Sequence, residues 1–272
     1  MRNRLPDFMV IGAQKSGTSW LAQWLASSPD VFMPSEGELM FFDSKKNYSE
    51  LGLKQYQQYF AGASGSQRIG ERTANYIWVS GAYPEWGAPD SFRQGTPERV
   101  HQALGDDMQF VAVLRNPIDR AISGFLHHRR RKRIGPNARM RDEWAKRGVA
   151  HMGLYCEHLD RWREVYPREN FLLMTYDGLF SGQEELNRLA RFLGIRVPKS
   201  SVTNTDVVHQ GIGFTRDESG VYDSDGKKLA NRNDLDGLRR LFADDVARLA
   251  RDWSLDIAPW RADFSLDGRT TG

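Results

Sequence analysis

Phe8-Met9-Val10-Ile11-Gly12-Ala13-Gln14-Lys15-Ser16-Gly17-Thr18-Ser19 is the stretch that decides the fold. Its first four residues form an apolar run that ends at Gly12 and predicts a short buried strand. Helix-type sequence follows from Thr18 to Ala26, and Ser28-Pro29-Asp30 stops it. A glycine-bearing turn between a strand and a helix is built to hold an anion. The glycines let the backbone curl, the amides of the helix N-terminus point at the ligand, and the helix dipole favours negative charge. Lys15 adds a point charge, and Ser16, Thr18 and Ser19 add hydroxyl donors. In a Walker-type ATP loop the lysine comes directly after the second glycine. Here Lys15 stands two residues before Gly17, so the spacing is not that of an ATPase.

Working outward, Met108 to Leu114 predicts a second buried strand, closed by Arg115-Asn116-Pro117. Pro117 is placed to open a helix that runs through Ser123 into a basic run. Phe171 to Tyr176 predicts a third strand, and Arg68 to Thr73 another short one. Helices are expected around Leu154 to Tyr166, from Glu184 to Leu193 and from Leu235 to Trp253. Strands alternating with helices predict an α/β fold with a mostly parallel central sheet flanked by helices and a P-loop-like nucleotide-binding core. Two stretches resist this pattern. Val79 to Pro97 is rich in Gly, Pro and Trp and reads as a long loop, and the polar segment Thr203 to Asn233 offers no regular element. We expect residues 1–265 to form one domain and residues 266–272 a loose tail.

The chain has 272 residues, of which 40% are hydrophobic and 27% charged, a composition that argues against disordered and fibrous classes. No apolar run approaches the ~18 residues of a membrane span. The single cysteine, Cys156, cannot form an intrachain disulfide, and a reducing, cytoplasmic location is the expectation. The net charge of +3 is unevenly spread, because Arg115 to Arg133 holds seven basic residues against Asp119 alone. Such an asymmetry predicts an anionic partner. The run Arg129 to Arg133 itself reads either as an anion-facing patch or as the solvated C-terminal end of a helix, where cations favour the dipole. The sequence shows no metal-ligand cluster, so no metal is expected.

The loop Gly12 to Ser19 resembles the 5′-phosphosulfate loop of sulfotransferases that use 3′-phosphoadenosine 5′-phosphosulfate (PAPS). Arg115-Asn116-Pro117-Ile118-Asp119-Arg120-Ala121-Ile122-Ser123 is similar to that family's 3′-phosphate motif, an Arg after a strand and a Ser eight residues later. Glu38-Leu39-Met40-Phe41-Phe42-Asp43 resembles the Glu-x-x-Phe-Phe segment of its heparan-sulfate-type branch, to which bacterial members are related. Gly153-Leu154-Tyr155 through Trp162 to Pro167 looks like the family's Tyr/Trp helix, and the similarity extends from Phe8 to about Trp260.

The resemblance implies roles for particular residues. Lys15 would stabilise charge on the departing phosphate, and Ser16, Gly17, Thr18 and Ser19 would cradle the 5′-phosphate. The same hydroxyls could equally serve as helix caps. Arg115 and Ser123 would hold the 3′-phosphate, the Arg through its fork of donors. Glu38 is the candidate general base, preferred to Glu36 because it fits the spacing to Phe41 and Phe42. Arg72 stands where relatives carry the Lys of Glu-Lys-Thr, facing donor sulfate and acceptor. Lys228, with Lys227 or Arg232 as neighbours in the role, would close the C-terminal loop over the nucleotide. Secreted relatives staple that loop with a disulfide, which Cys156 cannot do.

The expected reaction is in-line sulfuryl transfer from PAPS to a hydroxyl, less readily an amine, leaving adenosine 3′,5′-bisphosphate (PAP). Phenol-type members use a histidine base; none lies near Glu38, and His101, His127, His128, His151, His158 and His209 read as structural or exposed. The expected acceptor is therefore a small metabolite or a carbohydrate, shaped by the loops Ser44 to Tyr59, Val79 to Pro97 and Ile134 to Met152. Two alternatives compete. A P-loop kinase would need a Walker lysine and a magnesium-binding aspartate such as Asp177. A non-enzymatic polyanion binder would use Arg129 to Arg133 but leaves the phosphate loop unexplained, and no nucleic-acid motif is evident.

Overall fold

The computed structural model describes residues 4–198 and 213–264. Apolar runs become strands β1 (Phe8–Gly12), β2 (Val31–Phe32), β3 (Arg68–Arg72), β4 (Gln109–Leu114) and β5 (Phe171–Thr175). They pair in parallel in the order β2-β3-β1-β4-β5. Every residue of β1 and β5 is buried. That is the pattern of a parallel sheet covered on both faces, and it is why these strands read as continuous apolar runs.

Side chains alternate across the sheet. Phe8, Val10, Val111, Val113, Leu172 and Met174 face helices α1 (Thr18–Ala26), α7 (Tyr176–Ser181) and α8 (Gln183–Leu193). Met9, Ile11, Phe110, Ala112 and Leu114 face the larger core. Helices α2 (Lys45–Gln58), α4 (Thr96–Leu104), α5 (Pro117–Arg130), α6 (Tyr155–Arg163) and α9 (Arg232–Trp253) contribute to it. The short α3 (Ser91–Gln94) precedes α4.

Three expectations are corrected. The segment expected to lack regular structure forms a three-stranded antiparallel sheet of β6 (Phe214–Asp217), β7 (Gly220–Asp223) and β8 (Lys228–Asn231). Its strands are only four residues long, and β6 and β8 are half exposed, so no apolar run marks them. The expected loop Val79 to Pro97 contains α3, capped by Asp90, and the start of α4 with Pro97 in its first turn. The expected loop Ser44 to Tyr59 is α2, capped by Ser44 and broken at Gly52. Residues 203–212, including His209, and the expected tail 266–272 lie outside the described residues. Among the described residues, no helix is long and apolar enough to cross a membrane.

Candidate active site

The phosphate loop sits where β1 ends. Gly12 is required by contact, because a Cβ there would lie 2.5 Å from Cγ2 of Ile77. Gly17 is required by conformation, with φ of 85° as it caps α1. No side chain caps that helix. The hydroxyls of the loop therefore do not do the work of a cap, and the N-terminus of α1 keeps the geometry that suits an anion. Ser16 is fully buried and its Oγ has no hydrogen-bond partner. An orphaned donor inside a glycine loop is what a phosphate oxygen would satisfy.

Lys15 adopts a left-handed backbone with φ of 71°, a conformation that costs a non-glycine residue about 1–3 kcal/mol. Burial lowers its pKa, and the charges of Arg130, Arg115 and Arg131 lower it further, while Glu38 opposes them. Positive charge is thus concentrated around Lys15 in a partly desolvated place. The basic run, whose role the sequence left open, sends two of its arginines into this field. Arg129 does something else: it pairs with Asp223 of β7 at 2.6 Å.

Arg115 follows β4 directly and donates through Nη1 to the carbonyl of Lys15 at 3.4 Å. Its guanidinium lies 4.8 Å from the ring of Tyr176 and 5.8 Å from that of Phe214. Two aromatic faces on different elements hold the fork in place. Ser123 is buried on α5, two turns along the helix that begins just after Arg115. One further turn on, burial beside Lys15 pushes His127 down to about 4, so its ring is neutral at physiological pH. Residues Tyr176, Phe214 and His127 were missed by sequence reasoning. Position four after Ser123 on one helix face could have signalled His127, and the strand end next to β4 could have signalled Tyr176.

The acceptor side is built from β3 and the 36–43 segment. Arg72 ends β3 and pairs in register with Val10, two residues before Gly12. Its Nη1 donates to Oε1 of Glu38 at 2.9 Å and reaches Oγ of Ser19 at 3.5 Å. The backbone amide of Ala74 also donates to that Glu38 oxygen, at 3.3 Å. Glu36, the local competitor, is exposed and accepts from Ser35. The structure therefore brings Lys15, Ser16, Gly17, Thr18, Ser19, Glu38, Arg72 and Arg115 together at the carboxyl ends of β1, β3 and β4, where open α/β sheets bind ligands. Lys228 is placed elsewhere: it is exposed on β8 with its Nζ 5.7 Å from the Tyr222 ring. Lys227 donates to the Pro136 carbonyl and to Asn137.

The other expected roles also resolve. His151 accepts from Nε1 of Trp78, and His158 accepts from the amide of Ser80; burial lowers both pKa values, so they are neutral structural groups. Asp177 accepts from Nε1 of Trp260, a packing contact. Among the described residues, no cluster of ligands suited to a metal ion is present.

A sulfotransferase domain family model matches residues 5–209. The chain belongs to the sulfotransferase family. It is 28% identical over 206 residues to the heparan sulfate glucosamine 3-O-sulfotransferase 6 of Homo sapiens, covering 72% of this chain and 54% of that protein. It is likewise 28% identical over 269 residues to the bifunctional heparan sulfate N-deacetylase/N-sulfotransferase 2 of Bos taurus, covering 90% of this chain and 28% of that protein. The chain thus spans about half the length of the first of these relatives and less of the second. The crystal structure of a sulfotransferase from Alicyclobacillus acidocaldarius superposes with a TM-score of 0.66 and 25% identity, covering 95% of this chain and 99% of that one. Membership places the phosphate loop in a PAPS-dependent sulfotransferase family, as the resemblance implied, and leaves the kinase alternative without support.

Proposed function

We propose that this sulfotransferase moves a sulfuryl group from PAPS to a hydroxyl of a carbohydrate or small metabolite. The observation that carries this reading is the single guanidinium of Arg72, bonded to Glu38 and touching Ser19 of the phosphate loop. It joins a carboxylate base to the donor site across one side chain's width.

The loop fits the donor: an unpartnered buried hydroxyl, an uncapped helix N-terminus and clustered cations all await a phosphate. PAPS supplies an activated sulfuryl group with PAP as leaving group. Ser16, Gly17, Thr18 and Ser19 hold the 5′-phosphate, and Arg115 with Ser123 holds the 3′-phosphate. Glu38 accepts the acceptor's proton as the new O–S bond forms. Lys15 neutralises the charge left on the phosphate as the old O–S bond breaks. Arg72 holds Glu38 in line, so little reorganisation is needed.

Both O- and N-sulfating heparan sulfate enzymes are among the relatives. The hydroxyl is preferred because an alcohol needs its proton removed during transfer, which gives Glu38 its task. Two measurements test the reading. Calorimetry should show tight binding of PAP and none of ATP·Mg²⁺; the reverse result overturns it. Labelled PAPS offered with heparan sulfate, its N-deacetylated form, simple sugars, alcohols and phenols should label an oxygen of a carbohydrate or alcohol. In that assay Glu38→Gln should abolish turnover while leaving PAP affinity within about twofold.

A further inference from the structure

Glu71 has no part in the mechanism above, yet it is the neighbour of Arg72 and points the other way. Successive residues of a strand alternate in direction, and Glu71 is fully buried in the large core. Its Oε1 accepts from the hydroxyl of Tyr76 at 2.8 Å and from Oγ1 of Thr73 at 3.0 Å. Its Oε2 accepts from the hydroxyl of Tyr56 on α2. A carboxylate buried this deeply needs such donors, and here hydroxyls supply all three.

The far side of those hydroxyls matters. The Tyr76 oxygen accepts the backbone amides of Phe41 at 3.0 Å and Phe42 at 3.2 Å. The Thr73 oxygen accepts the amide of Met40 at 3.1 Å. Three successive amides downstream of Glu38 are therefore gripped by two hydroxyls, and both hydroxyl protons are aimed at one carboxylate. A hydroxyl has one proton, so the group that receives it fixes which way the oxygen faces. Met40 has a φ of 46°, and it is 40% exposed, so apolar burial of its own side chain does little to hold this turn.

We propose that Glu71 is a positioning residue for Glu38, acting through Tyr76 and Thr73 to set the path of residues 38–42. The inference rests on the reading of Glu38 as the base. Only the ionised carboxylate accepts from all three hydroxyls. Once Glu71 is protonated, one hydroxyl must turn, and the acceptor oxygen loses the charge that strengthens the bonds from Tyr76 and Thr73, so the grip on residues 40–42 loosens.

The titratable groups facing Glu71 are Tyr56 from α2, Tyr76 from its own segment and Asp43 from the chain after Phe42. Arg93 of α3 neutralises Asp43 at 3.4 Å. Burial raises the Glu71 pKa to about 7, against the pull of the three hydroxyl bonds. The grip on residues 40–42 should therefore weaken as the pH falls through the neutral range.

Amide hydrogen exchange of the peptide covering residues 38–43, corrected for the intrinsic rate, tests this without need of an acceptor. In the native protein we expect protection to fall on the acid side with a midpoint near 7. Glu71→Gln should exchange roughly tenfold faster and lose that midpoint, since a neutral, non-titrating amide oxygen holds Tyr76 and Thr73 without the charge of the carboxylate. Tyr76→Phe, which should fold even where Glu71→Gln does not, should also exchange faster, and Thr73→Ser should be protected like the native chain. Native-like protection in Tyr76→Phe, or a midpoint that survives in a folded Glu71→Gln, overturns the proposal. Turnover of Glu38→Gln with labelled PAPS separates the two ideas. Retained turnover sinks the base, whereas a dead Glu38→Gln beside native-like exchange in Tyr76→Phe sinks the role of Glu71 alone.

Discussion

Arg72 and Glu38 form an ion pair with Nη1 and Oε1 2.9 Å apart, and the same nitrogen touches Ser19 of the phosphate loop. The pair is partly shielded, with the Arg side chain 14% and the Glu side chain 30% exposed. A lysine here would present a compact point charge. A guanidinium instead offers several donors in a rigid fork, so it can serve base and loop together. Arg in place of Lys keeps the charge and changes the geometry, and here the changed geometry gives a second contact.

Arg72→Lys keeps the charge and removes the fork. We expect turnover to fall about tenfold, because a misdirected base costs orientation more than binding. PAP affinity should stay within about twofold of the native value. Steady-state kinetics with labelled PAPS and PAP calorimetry check both halves. Native turnover in Arg72→Lys would show that the pair only packs.

Lys15 should trade stability for activity. Burial and the charges of Arg130, Arg115 and Arg131 all disfavour its charged form. Its pKa is lowered in the fold, so the unfolded chain binds more protons, and stability rises with pH between the lowered value and 10.5. Lys15→Met removes that penalty. The thermal midpoint at neutral pH should rise by about 2–4 °C for each kcal/mol relieved. Turnover should drop by about 10²–10³, the usual cost of losing one group that stabilises transition-state charge. Thermal scanning with and without PAP would show the gain confined to the free protein.

The parts of the fold that sequence made legible are those that packing dictates. β1, β4 and β5 announce themselves as apolar runs because a parallel sheet is buried on both faces, and α1 falls within its expected bounds, Thr18–Ala26. β6, β7 and β8 were hidden because they carry few apolar residues and hold together through polar turns. Asp217 accepts from the amides of Ser219 and Gly220, and Asp223 from those of Asp225 and Lys227. Those Asp-x-x-Gly turns were the available signal. α9 was expected from Leu235 and begins at Arg232; the capping box of Asn231 and Asp234 was the available signal. At the site, Lys15, Glu38 and Arg115 followed from their motifs. The partners Phe214 and Tyr176 did not, since they meet Arg115 only through tertiary packing.

The C-terminal sheet should depend on Asp263 for its attachment. Arg216 of β6 donates to both Asp263 oxygens, at 2.6 and 2.7 Å, and pairs with Asp119 of α5 at 3.0 Å. Asn116 and Arg239 also donate to Asp263. Burial works to raise the Asp263 pKa, yet the bonds from Arg216 hold it below the ordinary aspartate value. Its contribution is present above that ordinary value and is lost as pH falls through the lowered one. Asp263→Ala should cost about 3 kcal/mol, as removal of one partner from a buried pair does. A shifted urea midpoint with unchanged slope at neutral pH measures it. Under acid the mutant and native proteins should converge.

Arg130 and Arg131 are exposed at the end of α5, yet their charges reach Lys15. If they served only as a solvated helix end, neutralising them would leave nucleotide binding alone. The field they create at the phosphate loop argues otherwise, because PAP carries several negative charges into it. Arg130→Gln with Arg131→Gln should weaken PAP binding about threefold to tenfold at low salt and much less at high salt, as screening removes the effect of exposed charges. The Lys15 pKa should rise in the same variant, since two of the charges that lower it are gone. Calorimetry across ionic strength reads the first effect. Reductive methylation of Lys15 followed by NMR titration reads the second. A salt-independent affinity equal to that of the native protein would return these arginines to the solvent.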